Sequence, residues 1–138
     1  MQSKLNPYIS FQGNAREAME FYKSVFGGTL DLTTFKDGGM VQNQADADHI
    51  MHGMLVAENG MTIMGADMPE GMEYIHGTNI SISLSGDNET ELTGYYNKLV
   101  EGGTVAEPLE KAPWGDTFGM LTDKFGIFWM VNITGTKS

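Results

Sequence analysis

Apolar and polar positions along this chain follow two periods, and the changes of period mark its elements. Leu5 to Phe11 reads as a first strand, with Pro7 near its start, where a missing N–H is tolerated. Gly13-Asn14 breaks the run, and Asn14 is placed to cap a helix by accepting a bond from an exposed backbone N–H. Ala15, Ala18, Met19, Tyr22, Val25 and Phe26 then fall on one stripe at helical spacing, which predicts a helix lying on a sheet. Gly27-Gly28 ends it. Thr29 to Phe35 is a β-branched and aromatic strand, and Lys36 to Asp48 is a polar loop long enough to move. Strands at Ile50 to Ala57 and Met61 to Gly65 are joined by Glu58-Asn59-Gly60, whose Asn-Gly pair favours a hairpin. Asp67 to Gly77, with Pro69 and Gly71, is a connector.

The second half retraces this order. Asn79-Ile80-Ser81-Ile82-Ser83-Leu84-Ser85 alternates strictly, predicting a strand with an apolar face under a helix and a wet face of Asn and Ser. Asp87 or Asn88 caps a helix through about Glu101 that carries Leu92, Tyr95, Tyr96, Leu99 and Val100. Gly102-Gly103 closes it as Gly27-Gly28 closed the first. Thr104 to Leu109, Thr117 to Thr122 and Ile127 to Ile133 complete the strands, with the loop Pro113-Trp114-Gly115-Asp116 among them. Gly53-Met54-Leu55 and Gly119-Met120-Leu121 stand 66 positions apart, as do Gly60 and Gly126 ahead of their apolar runs. The helix-ending glycines are 75 apart, so the second copy is nine residues shorter between helix and final hairpin, which fits a long loop lying in the first copy only. Duplication of a half-protein explains this spacing. Each half reads strand, helix, strand, strand, strand: modules of about 5–67 and 78–133 in a single domain spanning 1–138, an α+β arrangement. Two such sheets with their uncovered faces side by side are expected to enclose a concave cleft.

Charge narrows the partners. The 138 residues carry 18 acidic and 8 basic side chains, a formal charge of −10, which opposes phosphate backbones and anionic lipid heads. Nucleic acid and membrane are therefore not expected partners. With no cysteine, disulfides, thiolate catalysis and cysteine-held zinc are excluded. No apolar run approaches the ~18 residues of a bilayer span and no leader follows Met1, so a cytoplasmic location is expected.

The segments Asn6-Pro7-Tyr8, Gly13-Asn14-Ala15, Phe21 to Gly28, Met51-His52, Trp114-Gly115, Asp123 to Ile127 and Trp129 to Asn132, together with the duplicated plan, resemble the vicinal oxygen chelate superfamily. That superfamily includes glyoxalase I, bleomycin-resistance proteins and extradiol dioxygenases; the resemblance is closest to its PhnB-like branch, also labelled demethylubiquinone methyltransferase-like. It implies two tandem βαβββ modules in a curved mixed eight-stranded sheet of glyoxalase/bleomycin-resistance type, and a homodimer. Metal-using members hold, with four side chains, a divalent ion that polarises vicinal oxygens. Carried over, those places fall at Pro7, His52, Asn79 and Met130. Only His52 is a good metal ligand: Asn79 offers a neutral amide, Pro7 no side-chain donor, and Met130 a soft thioether unsuited to hard ions. No Gly-rich loop that would cradle a methyl donor's nucleotide joins a strand to a helix, so methyl transfer is discounted.

The candidate cleft residues are His52, Asn79, Ser81, Ser83, Trp114, Phe128 and Met130. His52 is the candidate catalytic base or metal ligand. His49, three residues earlier, falls on the other face of a strand and is not expected to share its metal. Trp129 reads as core with Ile127 and Val131, leaving Phe128 and Met130 toward the cleft, while Trp114 is a lid or a dimer contact. The 11 methionines are scattered, which fits packing between curved sheets better than a soft metal site. The expected activity is retention of a small molecule by sequestration. The alternative is a metal-assisted lyase, isomerase or dioxygenase of glyoxalase type.

Overall fold

Burial of one helix against one face of a four-stranded sheet occurs twice along the chain, which divides after His76 into two compact units. The computed structural model describes residues 3–41 and 43–135. The first unit contains β1 (Tyr8–Phe11), α1 (Ala15–Phe26), β2 (Thr29–Thr34), a 3-10 turn at Gln44–Asp46, β3 (Ile50–Val56) and β4 (Thr62–Asp67). The second contains β5 (Ile82–Gly86), α2 (Glu89–Leu99), β6 (Thr104–Lys111), β7 (Thr117–Thr122) and β8 (Phe128–Ile133). Both follow the βαβββ order. The sheets run β1-β4-β3-β2 and β5-β8-β7-β6, with β1/β4 and β5/β8 parallel and the remaining pairs antiparallel. The eight strands are thus laddered four and four rather than in one continuous sheet.

Helix α1 buries the six side chains of its apolar stripe, from Ala15 to Phe26, over β2, β3 and β4. Each large side chain removed from water in this way contributes about 1.5–3 kcal/mol. Its N-terminus is satisfied differently from the sequence expectation. Asn14 occupies the cap position, but its side chain makes no capping bond. The carboxylate of Asp67, at the end of β4, accepts instead from Gly13 N–H at 2.8 Å and Ala15 N–H at 2.9 Å, while its other oxygen accepts from Ile50 N–H at 2.9 Å. One buried acid therefore ties the entry of α1 to the start of β3. Helix α2 is capped locally, by Asn88 Oδ1 accepting from Glu91 N–H at 3.0 Å, and buries Leu92, Tyr96 and Leu99 over its sheet.

The doubled glycines have a steric cause. A Cβ on Gly28 would fall on the carbonyl of Val56, and one on Gly103 on the carbonyl of Thr122, so both chains leave their helices by passing close over the third strand of their unit. Gly28 also sits at φ +93°, which disfavours any other residue. Both hairpins turn in the same way: Gly60 and Gly126 donate to the carbonyls of Ala57 and Asp123. In the second, Asp123 Oδ1 accepts from Phe125 and Ile127 N–H, and its Oδ2 accepts from Trp129 Nε1 at 2.9 Å. Trp129 is fully buried.

Strand β5 starts later than the alternation predicted. Its ladder to β8 begins at Ile82 opposite Trp129, and the same register carried back would set Asn79 and Ile80 against positions 126 and 127, ahead of the start of β8 at Phe128. Asn79 lies in a bend and Ile80 is 77% exposed. Strand β6, at the border of its sheet, carries Pro108 and two register shifts against β7.

Candidate functional site

Close contact between glycines and helices settles which way each strand faces. A Cβ on Gly53 would lie 3.5 Å from Met19 Cγ of α1, and one on Gly65 would lie 2.9 Å from Met19 Sδ. Strand alternation then turns His52, Met54 and Met64 to the face that α1 leaves uncovered. In the second unit a Cβ on Gly119 would lie 2.8 Å from Tyr96 of α2, so Phe118 and Met120 turn away from the helix. Trp129 and Val131 are buried beneath α2, which leaves Phe128, Met130 and Asn132 on the uncovered face.

The two uncovered faces share one plan. Across the first sheet the register aligns Tyr8, Met64, Met54 and Asp31; across the second it aligns Ser83, Met130, Met120 and Glu107. Each row has an acid on the border strand, two half-buried thioethers in the middle and a hydroxyl at the parallel edge. By this relation Met130 corresponds to Met64, and His52 corresponds to Phe118, not to Met130. His52 is half-buried, lies opposite Thr33, and has its ring 6.0 Å from that of Tyr8 at 51°.

The second face is the more aromatic. Phe118 and Phe128 flank the row of Met120 and Met130, and Trp114, 65% exposed, meets Phe118 edge-on at 6.0 Å. Asp116 orders the loop below Trp114: it accepts from Asn132 Nδ2 at 3.0 Å and from Gly135 N–H at 2.9 Å. The Asn132 bond, then the Gly135 bond, hold its carboxyl below the usual carboxylate range. Behind the sheet, Tyr96 donates its hydroxyl to the carbonyl of Glu107 at 2.9 Å, and burial pushes that hydroxyl's pKa up.

Of the residues singled out in the sequence, Ser83, Phe128 and Met130 share the second uncovered face, with Trp114 against Phe118. Ser81 immediately precedes β5, and the exposed Asn79 is outside any strand. His52 belongs to the first sheet. The fit to a divalent ion is poor in the donor chemistry itself. The carbonyl of Pro7 already accepts from Met64 N–H at 2.9 Å, Asn79 is off the sheet, and Met130 and its counterpart Met64 are thioethers. Among the described residues no three His, Cys, Asp or Glu side chains converge as a metal-holding group. Sequence reasoning passed over Asp46, buried in the 3-10 turn at Gln44–Asp46. Its signal was present as Asp-x-x-His at 46–49, and Asp46 Oδ1 pairs with His49 Nδ1 at 3.3 Å.

The family described as 3-demethylubiquinone-9 3-methyltransferase matches residues 3–132. The chain belongs to that family. Within the vicinal oxygen chelate superfamily this is the PhnB-like branch, and solved glyoxylase/bleomycin resistance/dioxygenase domains share its fold. A solved protein from Pseudomonas aeruginosa is 38% identical with a TM-score of 0.84, covering 98% of this chain and 100% of that one. Protein YjdN of Escherichia coli strain K12 is 29% identical over 94% of both chains. A PhnB protein from Bacillus cereus, 24% identical with a TM-score of 0.76 over 96% of this chain and 100% of its own, shows the same fold. Among the described residues no helix is long and apolar enough to cross a membrane.

Proposed function

We propose that this PhnB-like protein holds a small aromatic cation on the uncovered face of its second sheet, by sequestration and without chemistry. The observation that carries this reading is the exposed Trp114 edge-on to Phe118, beside the half-buried Phe128, Met120 and Met130. Aromatic rings and thioethers offer a polarisable surface to a flat ligand, and a cation gains further from ring faces. Glu107 and Glu110 on β6, Asp116 and a formal charge of −10 favour that sign of charge. Ser83 supplies a hydroxyl at the edge. A homodimer in the cytoplasm is part of the proposal, the first checked by light scattering of the purified protein.

Methyl transfer does not enter, despite the family's description. The turns into the helices, Gln12-Gly13-Asn14 and Gly86-Asp87-Asn88, carry one glycine each, and neither is the Gly-rich loop that lets backbone approach a nucleoside closely.

The test uses the unequal tryptophans. Trp129 is buried and Trp114 is 65% exposed, so a planar acridinium or phenanthridinium salt stacking on the second face should quench one emission and spare the other. A saturable quench with a raised Tm is expected; Trp114→Ala removes the reporting indole, so its affinity is read from the Tm shift over a ligand titration, and it should fall roughly tenfold, about 1.4 kcal/mol. No saturable quench, or an unchanged affinity in that variant, would sink the reading. The alternative rests on His52 beside Tyr8: stoichiometric nickel, manganese, zinc or iron in untagged protein, with turnover of a vicinal dicarbonyl or a catechol that His52→Ala abolishes, would establish the glyoxalase-type enzyme in its place.

A further inference from the structure

We infer that the first unit carries a separate binding site for a small protonated amine, in a pocket of about 290 Å³ under the connector that follows β4. It is lined by Gln12, Asp46, His49, Met68, Glu70 and Met72, none of which belongs to either uncovered sheet face. The polar side of the pocket is built around a buried acid. Asp46 is 4% exposed; Oδ1 takes His49 Nδ1 at 3.3 Å and Oδ2 accepts from Glu70 N–H at 3.0 Å, so one carboxylate joins the 36–48 loop to the connector. A carboxylate only accepts, so Nδ1 carries a proton in its pair with Asp46, and whenever the ring is neutral Nε2 is the acceptor nitrogen.

That nitrogen lies on the rim of the pocket beside Gly13, which has no side chain to cover it. Nε2 lies 3.5 Å from where a Cβ at position 13 would stand, and Gly13, at φ +88°, is a position where side chains are disfavoured. A free Nε2 acceptor, the Glu70 carboxylate, the Gln12 amide and the negative Asp46 form a set richer in acceptors and negative charge than in donors. Met68 and Met72 give the remaining wall a soft apolar surface. An ammonium group with a short hydrocarbon body satisfies both sides: its N–H bonds reach Nε2 and Glu70, and its carbon chain lies on the thioethers. The volume, at the small end of ligand pockets, selects compact amines over drug-sized molecules.

Amide and methionine-methyl NMR of the full chain tests this, with butylamine and benzylamine as probes and acetate as the anionic control. Saturable shifts at residues 12–13, 46–49 and 68–72 with the amines, and none with acetate, are expected. His49→Asn keeps a nitrogen donor toward Asp46 and deletes Nε2. It should weaken binding roughly tenfold while the spectrum stays folded, as should Glu70→Gln, whereas Trp114→Ala should leave this binding unchanged. Absence of saturation by either amine at concentrations on the order of 10 mM, weaker than any useful site, would overturn the assignment. So would preference for acetate, shifts confined to the Trp114 face, or full affinity in both pocket variants.

Discussion

The two sheets agree on the side each helix covers and part company on the side it leaves bare. Gly53 and Gly119 let α1 and α2 approach the same place in the ladder, and Gly28 and Gly103 cross the same strand carbonyl. On the uncovered side the paired thioethers recur, but the position of Tyr8 in the first copy is held by Ser83 in the second, and that of His52 by Phe118. The buried acids differ as well: the counterpart of Asp67 is Ile133, and that of Asp123 is Ala57. Helix-to-sheet packing admits few solutions and was retained in both copies. Polar anchors follow the loops, which differ. The first unit has a long loop between β2 and β3 to fasten near α1, and Asp67 meets that need; α2 adjoins no such loop and is capped by its own Asn88.

The comparison breaks most readily at those acids. Asp67→Ala strands three backbone N–H groups and should cost about 3–5 kcal/mol in urea unfolding. Asp123→Ala, which frees two backbone donors and one indole, should cost about 2–4 kcal/mol. A smaller loss at Asp67 than at Asp123 would show that the first unit tolerates release of its loop. Next come the glycines. Gly28→Ala meets both a carbonyl and an unfavourable φ, and should destabilise by about 2–4 kcal/mol; Gly103→Ala meets the carbonyl alone and should cost less. Equal losses would mean the φ at Gly28 matters little.

A smaller effect is expected at Asp116. Its folded pKa lies below the ordinary value, so the stabilisation it provides is fully present above the unfolded pKa and is lost as pH falls through the folded one. A carboxyl titration by NMR should therefore place its midpoint under the common range near ~4. Asn132→Ala should move it upward, because the first of its two hydrogen bonds is gone. A midpoint insensitive to that change would leave Gly135 as the tie that matters.

Local pattern carried much of the fold. The six stripe residues of α1 are its six buried side chains, β7 has the bounds the alternation implied, and the Asn-Gly turn closes a hairpin. Local pattern failed where the partner is remote. Asn14 has the right chemistry for a cap, yet Asp67, more than fifty residues on, takes the donors because β4 runs beside β1 and delivers its last side chain to that point. Asn79 continues a perfect alternation, but a strand ends where its neighbour ends, and β8 begins only at Phe128. The shared face of Ser83, Phe128 and Met130 was legible from alternation. The pocket at His49 was not, since it depends on a loop and a connector joined through Asp46.

The border strand β6 has a bearing on solubility. Pro108 offers no N–H, two offsets interrupt the spacing of its outward groups, and Glu107, Glu110 and Lys111 stand along it. A strand from a passing molecule would find neither an unbroken row of hydrogen-bonding groups nor a neutral surface to zip against. Concentrated preparations should consequently resist fibril-like growth from this margin even when heat loosens the loops around it.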